Sequence, residues 1–409
     1  MERATGSQDE SFQAGYGDIT TFGGPESVTE QLKKADIERE SIYQWESARR
    51  IFKPWYDWKG RIQYNNGLAL GFFVSFLGQQ ASDSTTMEDD ALGGIYRFQG
   101  SWTVVNRGRK DPGRIEWRLE NRSNIGSFQA PGTLGGAVGA AALTTGFGYS
   151  ENFKTDLAVL NWTQGFFNER MGIAVGRLPF DVYLDAMPFQ TFSRGFLNRS
   201  FVINPTMGIT GIGALGAVAK GFVGRNFLVG AQIYDGNAAS GEYDWDTFEE
   251  HEYLKAIEFG WTPSYARRKT DKIQITFWDK DARDKAGVSS GRGWVVSGSW
   301  QFGDSLLSFV RFGDSDGGAG VPADRALSGG VEYAVSRTRK WSLGAGWAQP
   351  VRKNDGTRPD DEFVIEISYL LQLARNFSLM PDLQLLIDPA NNPNEDAVWV
   401  FSLRAILTL

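Results

Sequence analysis

From residue 68 to the end of the chain, apolar and polar side chains alternate with a period of two, the pattern of β-strands whose two faces meet different surroundings. In 114–122, Ile115, Trp117 and Leu119 fall on one face and Arg114, Glu116, Arg118, Glu120 and Arg122 on the other. In the last segment Ala397, Trp399, Phe401, Leu403, Ala405, Leu407 and Leu409 alternate with Val398, Val400, Ser402, Arg404, Ile406 and Thr408. The same rhythm runs through 294–302 and 363–373. Strands are predicted to start near 68, 93, 112, 155, 170, 213, 226, 252, 271, 291, 306, 325, 341, 361, 377 and 396. Every second connection is tight (108–110, 168–169, 224–225, 304–305, 338–340, 374–376), with 263–270 the loosest of that set, and those between are long, above all 126–154 and 179–212. Sixteen strands with short turns on one rim and long loops on the other predict a closed antiparallel barrel of the outer-membrane kind, which leaves no unpaired edge. A soluble sandwich or solenoid would also hide one face of each strand. Against it stand the missing fixed-length repeat, the alternating loop lengths and a last strand that stays apolar on alternate positions to its final residue.

The pattern ahead of residue 67 is different. Residues 1–24 are polar and glycine-rich and read as a flexible tail; 25–53 read as one exposed, weakly amphipathic periplasmic helix, with Ser27 as cap, Glu30 reaching back to it, and an end before Pro54. Residues 67–409 are left for the transmembrane β-barrel. With the helix in the periplasm, the first strand runs outward and the tight turns and C-terminus fall on the periplasmic side. No window approaches the roughly 18 consecutive apolar residues of a membrane-spanning helix. The polar start, Met1-Glu-Arg3, is that expected of a mature, exported chain.

Composition narrows the chemistry. The 409 residues hold no Cys and one His, so disulfides, thiolate sites and most histidine-dependent catalysis drop out. Forty-two basic against 49 acidic residues give a net charge of −7, with no nucleic-acid footprint. Forty-nine Gly, 28 Phe, 14 Trp and 13 Tyr suit strands with interfacial aromatic belts.

A sixteen-stranded barrel is wide enough for an aqueous channel. Parity directs Arg97, Arg114, Glu116, Arg118, Glu120, Arg122, Glu332, Glu366 and Arg404 inward. Interleaved signs argue against strong ion selection and offer donors and acceptors suited to neutral polyhydroxylated solutes; equally, neighbouring Arg and Glu simply neutralise one another in a wet lumen. Inward Phe73 and Trp278 could stack on sugar rings, whereas most Trp should be interfacial anchors. The Phe-rich connection 179–212 should fold on itself or into the lumen, since it would otherwise expose a large apolar patch.

Several stretches resemble the carbohydrate-selective porins of the OprB type. They are Val175-Gly-Arg-Leu-Pro-Phe-Asp-Val-Tyr183, Asn198-Arg-Ser-Phe-Val-Ile-Asn-Pro205, Gly213-Ala-Leu-Gly-Ala-Val-Ala219, Phe277-Trp-Asp-Lys-Asp281, Phe309-Val-Arg-Phe-Gly-Asp-Ser-Asp-Gly-Gly318, and Met380-Pro-Asp-Leu-Gln-Leu-Leu-Ile-Asp-Pro-Ala390 running into Val398-Trp-Val-Phe-Ser-Leu-Arg404. Their order carries more weight than any one of them. The resemblance implies a sixteen-stranded outer-membrane porin through which sugars diffuse past an Arg/Glu eyelet. On matching positions it implies Glu116, Arg118 and Glu120 as lining and Arg177, Asp181, Arg194, Asn198 and Arg199 as eyelet residues. Two features depart from the pattern: the chain ends in Leu409 where such barrels usually end in Phe, and a long charged helix precedes the first strand, suited to a periplasmic partner contact or a plug.

The other polar clusters read as solvated surface. His251 lies in the acidic run 244–252, and 83–90 and 314–318 hold similar carboxylates without metal-ligand spacing. Asp360, Asp361 and Glu362 sit at a strand entrance, where surface charge explains them. No cofactor, metal or catalytic function is expected. The expected partners are outer-membrane lipid and small saccharides, with room for a homo-oligomer and for a periplasmic partner of the helix. Two alternatives stand beside a sugar channel: one for small anions or organic acids, should Arg177, Arg194 and Arg199 outweigh the carboxylates, and a loop-plugged binding or structural barrel.

Overall fold

A computed structural model describes residues 23–37, 39–149, 153–191, 194–239, 247–353 and 355–409; most of the tail read at 1–24, and part of the acidic run before His251, lie outside them. Sixteen antiparallel strands close into one barrel: β1 (Leu68–Ala81), β2 (Asp90–Val105), β3 (Gly113–Asn124), β4 (Phe153–Phe166), β5 (Met171–Leu178), β6 (Ala214–Val223), β7 (Phe227–Asp235), β8 (Tyr253–Trp261), β9 (Lys272–Lys280), β10 (Gly291–Phe302), β11 (Leu306–Ser315), β12 (Ala323–Ser336), β13 (Arg339–Pro350), β14 (Glu362–Ala374), β15 (Phe377–Ile387) and β16 (Ala397–Thr408). β1 seals against β16 in register from Phe73↔Thr408 to Ala81↔Val400, so every strand has two neighbours and none is an edge. Burial alternates along β1, β3 and β16 as the sequence predicts. Outward Phe72, Phe76, Ile257, Phe277, Trp341 and Phe401 are exposed, as a lipid-facing surface requires. The hairpins β6–β7 and β10–β11 turn through Gly224 and Gly303, both at positive φ, a conformation that costs glycine nothing.

The barrel is filled by its own chain. The connection between β5 and β6 folds inward, as expected, and carries α4 (Phe180–Tyr183) and α5 (Arg199–Val202). Phe189 stacks on inward Phe309 at 3.7 Å between ring centroids, and Phe196 packs on Phe201 at 4.6 Å. The connection between β3 and β4 adds α3 (Pro131–Ala137) and buried Val138, Ala142 and Leu143. These apolar side chains avoid water by covering one another inside the barrel.

The N-terminal segment departs from the single exposed helix expected. It forms two helices, α1 (Val28–Asp36) and α2 (Glu46–Asn66), which grip the short-turn rim from opposite sides. Ser27 caps α1 by accepting the Glu30 N–H, but the Glu30 side chain accepts from Lys269 at 3.2 Å instead of returning to the cap. α1 lies inside the lumen against β1, β2 and β3, with Val28 and Leu32 buried. Leu32 fits because Gly71 has no side chain: a Cβ there would lie 2.7 Å from Leu32 Cδ2. The linker then crosses the rim, where the Ile42 and Tyr43 N–H groups donate to the carbonyls of Gln372 and Leu373. α2 continues through Pro54 and stops at Gly67 in the left-handed conformation. The proline removes one backbone donor at an exposed turn, where water can serve the freed carbonyl. A buried Lys59–Asp36 ion pair, 2.7 Å, joins the two helices.

Candidate functional site

All five charges of the β3 ladder point inward, and so do Arg97, Glu332, Glu366 and Arg404, each buried. The wet lumen expected around the ladder is instead occupied by α1 and the β5–β6 connection. Glu120 takes Arg97 Nε at 2.5 Å on one oxygen and Arg122 Nε at 2.5 Å on the other. Arg97 also donates through Nη1 to Glu26 at 3.0 Å, and its guanidinium lies 5.1 Å from the Phe73 ring centroid. Arg118 donates to Gln99 Oε1 at 3.0 Å and to the Glu26 carbonyl at 2.7 Å. Glu116 accepts from the Thr29 hydroxyl. Arg114 donates to Thr103 Oγ1 at 3.2 Å. The ladder is thus a docking surface for α1.

The eyelet candidates separate. Asp181, on α4, faces the ladder. Burial and the nearby Glu26 carboxylate push it up to about 6, opposed by Arg118, Arg122 and Arg97. Arg177 is buried in a 3.0 Å pair with Asp156. Asn198 is a clamp: it caps α5 through the Ser200 N–H and donates to the Leu143 carbonyl at 2.9 Å and Gln384 Oε1 at 3.1 Å. Arg199 lies 5.5 Å over the Phe147 ring. Arg194 reaches the short-turn end, donating to Gln372 Oε1 at 3.1 Å and Thr408 Oγ1 at 3.4 Å, and Arg39 from the linker donates to the same Thr408 hydroxyl at 3.4 Å. Trp278 points inward as expected but is covered: a Cβ on Gly208, in the β5–β6 connection, would lie 2.8 Å from its ring.

Two of the predicted inward groups hold the loops. Glu366 accepts the Leu197 and Asn198 N–H groups at 2.6 and 2.9 Å. Arg404 donates to the Gly195 carbonyl. Glu332, by contrast, pairs within the wall with Lys340 of the neighbouring strand at 2.6 Å. Glu362, expected as surface charge, is buried and accepts from Ala141, Ala142, Leu143 and Ala390 at 2.5, 2.8, 3.1 and 3.0 Å. Sequence reading also passed over Glu26, the Lys220–Glu258 pair at 2.5 Å and the fully buried Arg311–Asp185 pair. Inward parity on β6, β8 and β11 would have found Lys220, Glu258 and Arg311; Glu26 and Asp185, outside strands, carry no such signal. His251 is exposed, its Nδ1 3.1 Å from Tyr253 Oη.

α1 divides the short-turn mouth. On one side lies a cavity of about 410 Å³ bordered by Phe73, Lys34, Arg39, Arg194, Glu332 and Lys340. On the other lies one of about 230 Å³ bordered by Glu30, Lys34, Lys220, Arg268, Lys269 and Lys272.

With this geometry the chain can be set beside known proteins. Residues 273–409 match the model of the carbohydrate-selective porin, OprB family. Porin AaxA of Chlamydia caviae is 24% identical over 313 residues, 71% of this chain and 67% of that protein. Its namesake in Chlamydia trachomatis serovar D is 22% identical over 338 residues, 80% and 67% of the two chains. Among solved structures, the high-pH structure of Pseudomonas putida OprB superposes with a TM-score of 0.68 at 12% identity, covering 91% of this chain and 99% of that one. A mutant of the Rh. blastica porin gives 0.50 at 11%, covering 84% and 100%. The closed sixteen-stranded barrel and its apolar outward face give this chain the fold of an outer-membrane porin, and its last third, from β9 to β16, resembles the OprB family.

Proposed function

We propose that the barrel is a passive diffusion channel for small, neutral saccharides, with its termini and short turns in the periplasm. The observation that carries this reading is the pairing of charge in the lumen. Arg97 with Glu26 and Glu120, Arg177 with Asp156, Lys220 with Glu258 and Arg311 with Asp185 leave no ring of one sign among the described residues. Such a wall does not sort ions strongly, yet it offers dense hydrogen-bonding partners that a hydroxylated solute can exchange for water. Phe73 borders the larger cavity but is buried with the Arg97 guanidinium 5.1 Å from its ring centroid, so sugar C–H groups meet that ring only when α1 is displaced. The passage narrows at α1 and the β5–β6 connection, and solutes skirt α1 or displace it.

A second reading is favoured by the cavities. Lys34, Arg39, Arg194, Arg337, Arg339 and Lys340 border the larger one against the side-chain carboxylate of Glu332 and the terminal carboxylate of Leu409, a balance that attracts small organic anions. One experiment separates the two: uptake of neutral sugars and size-matched organic anions into liposomes carrying the purified chain. Faster sugar entry supports the saccharide reading, and faster anion entry replaces it. Entry of neither until residues 23–45 are deleted identifies a plugged barrel.

A further inference from the structure

α2 has three faces, set by the helical step of about 100° per residue. Phe52, Tyr56, Lys59 and Gln63 form one stripe; Lys59 and Gln63 are buried against the rim, and the Tyr56 ring lies under the Arg375 guanidinium at 3.7 Å. Arg50, Lys53, Asp57 and Arg61 form the polar stripe, all exposed. Between them lies a third stripe, Ile51, Trp55, Trp58 and Ile62, of which Ile51 is 72% and Trp58 38% exposed while Trp55 and Ile62 are half-buried.

This apolar stripe continues the lipid-facing belt. The Trp55 ring lies 5.7 Å from that of Phe72, an outward residue of β1, and Phe72 in turn lies 4.9 Å from outward Phe98 on β2. Beyond the helix end, outward Trp102 donates through Nε1 to the Asn66 carbonyl at 3.1 Å. The helix therefore lies along the outside of the short-turn rim, at the level where the belt ends. We propose that α2 is an interfacial helix, embedded by Ile51, Trp55, Trp58 and Ile62 in the phospholipid leaflet at the short-turn end of the barrel. Trp and Ile on one stripe with Arg and Lys on another is the composition that holds a helix in the plane of a bilayer surface. Continuity with the belt selects lipid as the occupant: a soluble partner would have to sit against the membrane to reach Trp55. The inference is independent of which solute the channel passes.

The chain has no cysteine, so single cysteines report one position each. Full-length Ile51→Cys, Trp58→Cys and Asp57→Cys variants are labelled with an environment-sensitive fluorophore and reconstituted in phosphatidylethanolamine–phosphatidylglycerol vesicles. Variants that keep the heat-modifiable migration of a folded barrel are compared. The expected result is blue-shifted emission at positions 51 and 58, with quenching by shallow nitroxide lipids at least about threefold stronger than at 57. Iodide quenching of all three labels to the same extent overturns the proposal. So does shielding of positions 51 and 58 that appears only when periplasmic protein or a second copy of the chain is added.

Discussion

Replacing Glu26 by alanine tests whether α1 is held in the lumen by the β3 ladder. The Glu26 carboxylate accepts from Arg97 Nη1 at 3.0 Å, Gln31 Nε2 at 2.6 Å and Thr191 Oγ1 at 2.6 Å. The pair with Arg97 is almost fully buried, with side-chain exposures of 1% and 5%. Removing one member of a buried pair costs about 3–5 kcal/mol. The lower end applies here, because Arg97 keeps Glu120. At 1.4 kcal/mol per factor of ten, about 3 kcal/mol raises the unseated population of α1 roughly a hundredfold. Leu32, fully buried when α1 is seated, gives the readout as Leu32→Cys, since maleimide labelling follows the open population when opening outpaces reaction. The destabilisation caused by the cysteine itself is common to both chains and cancels in the ratio of rates. Glu26→Ala should speed labelling by about two orders of magnitude and enlarge the solute that passes. Glu26→Gln, which keeps an acceptor for Thr191, should have a smaller effect. Equal labelling rates in the three chains would refute the reasoning.

Three other outcomes follow from the same contacts. Glu362→Ala strips four backbone N–H groups of their acceptor, each costing about 1–3 kcal/mol if left dry, so limited proteolysis should cut within 126–149 while the barrel stays intact. Gly344→Val places side-chain atoms where Phe201 and Phe196 now lie, 2.7 and 3.1 Å from a Cβ; overpacking by about 1–3 kcal/mol should make 188–203 protease-sensitive with no loss of heat-modifiable barrel. Asp181, pushed up to about 6 by burial and Glu26, binds a proton more tightly in the seated loop than in water. Seating is therefore firmest below the ordinary Asp value near 4 and is lost as pH rises through about 6. Loop labelling should accelerate across that window, and Asp181→Asn should flatten that part of the pH profile.

The strands were legible because lipid outside and chain inside impose opposite chemistry on alternate residues. Strand starts expected near 93, 155 and 325 fall at Asp90, Phe153 and Ala323, and most others within one or two residues. Inward parity of the β3 ladder was equally legible. What parity does not encode is what covers an inward side chain. Arg118 and Glu116 meet the Glu26 carbonyl and Thr29, some ninety positions away in sequence, and no local spacing joins them. Glu362 was misread for the same reason: beside Asp360 and Asp361 it looks like surface, and only the folded β3–β4 and β15–β16 connections bury it. Pro54 misled in another way. A helix-breaking rule applied to one residue outweighed the spacing of Ile51, Trp55, Trp58 and Ile62, which runs straight through it.

These misreadings share a physical origin, and it bears on how the channel works. Inside a porin the same side chains have two competing uses: they bind the chain's own segments when those are seated, and water or solute when they are not. Arg97, Arg118 and Glu116 cannot serve a passing solute while α1 and its flanking residues hold them, and Glu120 is engaged by Arg97 and Arg122 on the wall itself. The fraction of barrels with an unobstructed lumen then depends on the free energy of seating. A net seating energy of about 3 kcal/mol leaves roughly one barrel in a hundred open, and lowering it to about 1.4 kcal/mol leaves roughly one in ten. A substitution in the ladder therefore acts twice, on solute affinity and on the open fraction. Arg118→Ala, which removes a donor to the Glu26 carbonyl and to Gln31, should raise the conductance of the population even as it removes a hydrogen-bonding group from the wall. Single-channel records separate the two effects, because the open fraction changes the number of active channels and the wall chemistry changes the current through each. A lower count of active channels in Arg118→Ala would show that the ladder does not hold α1.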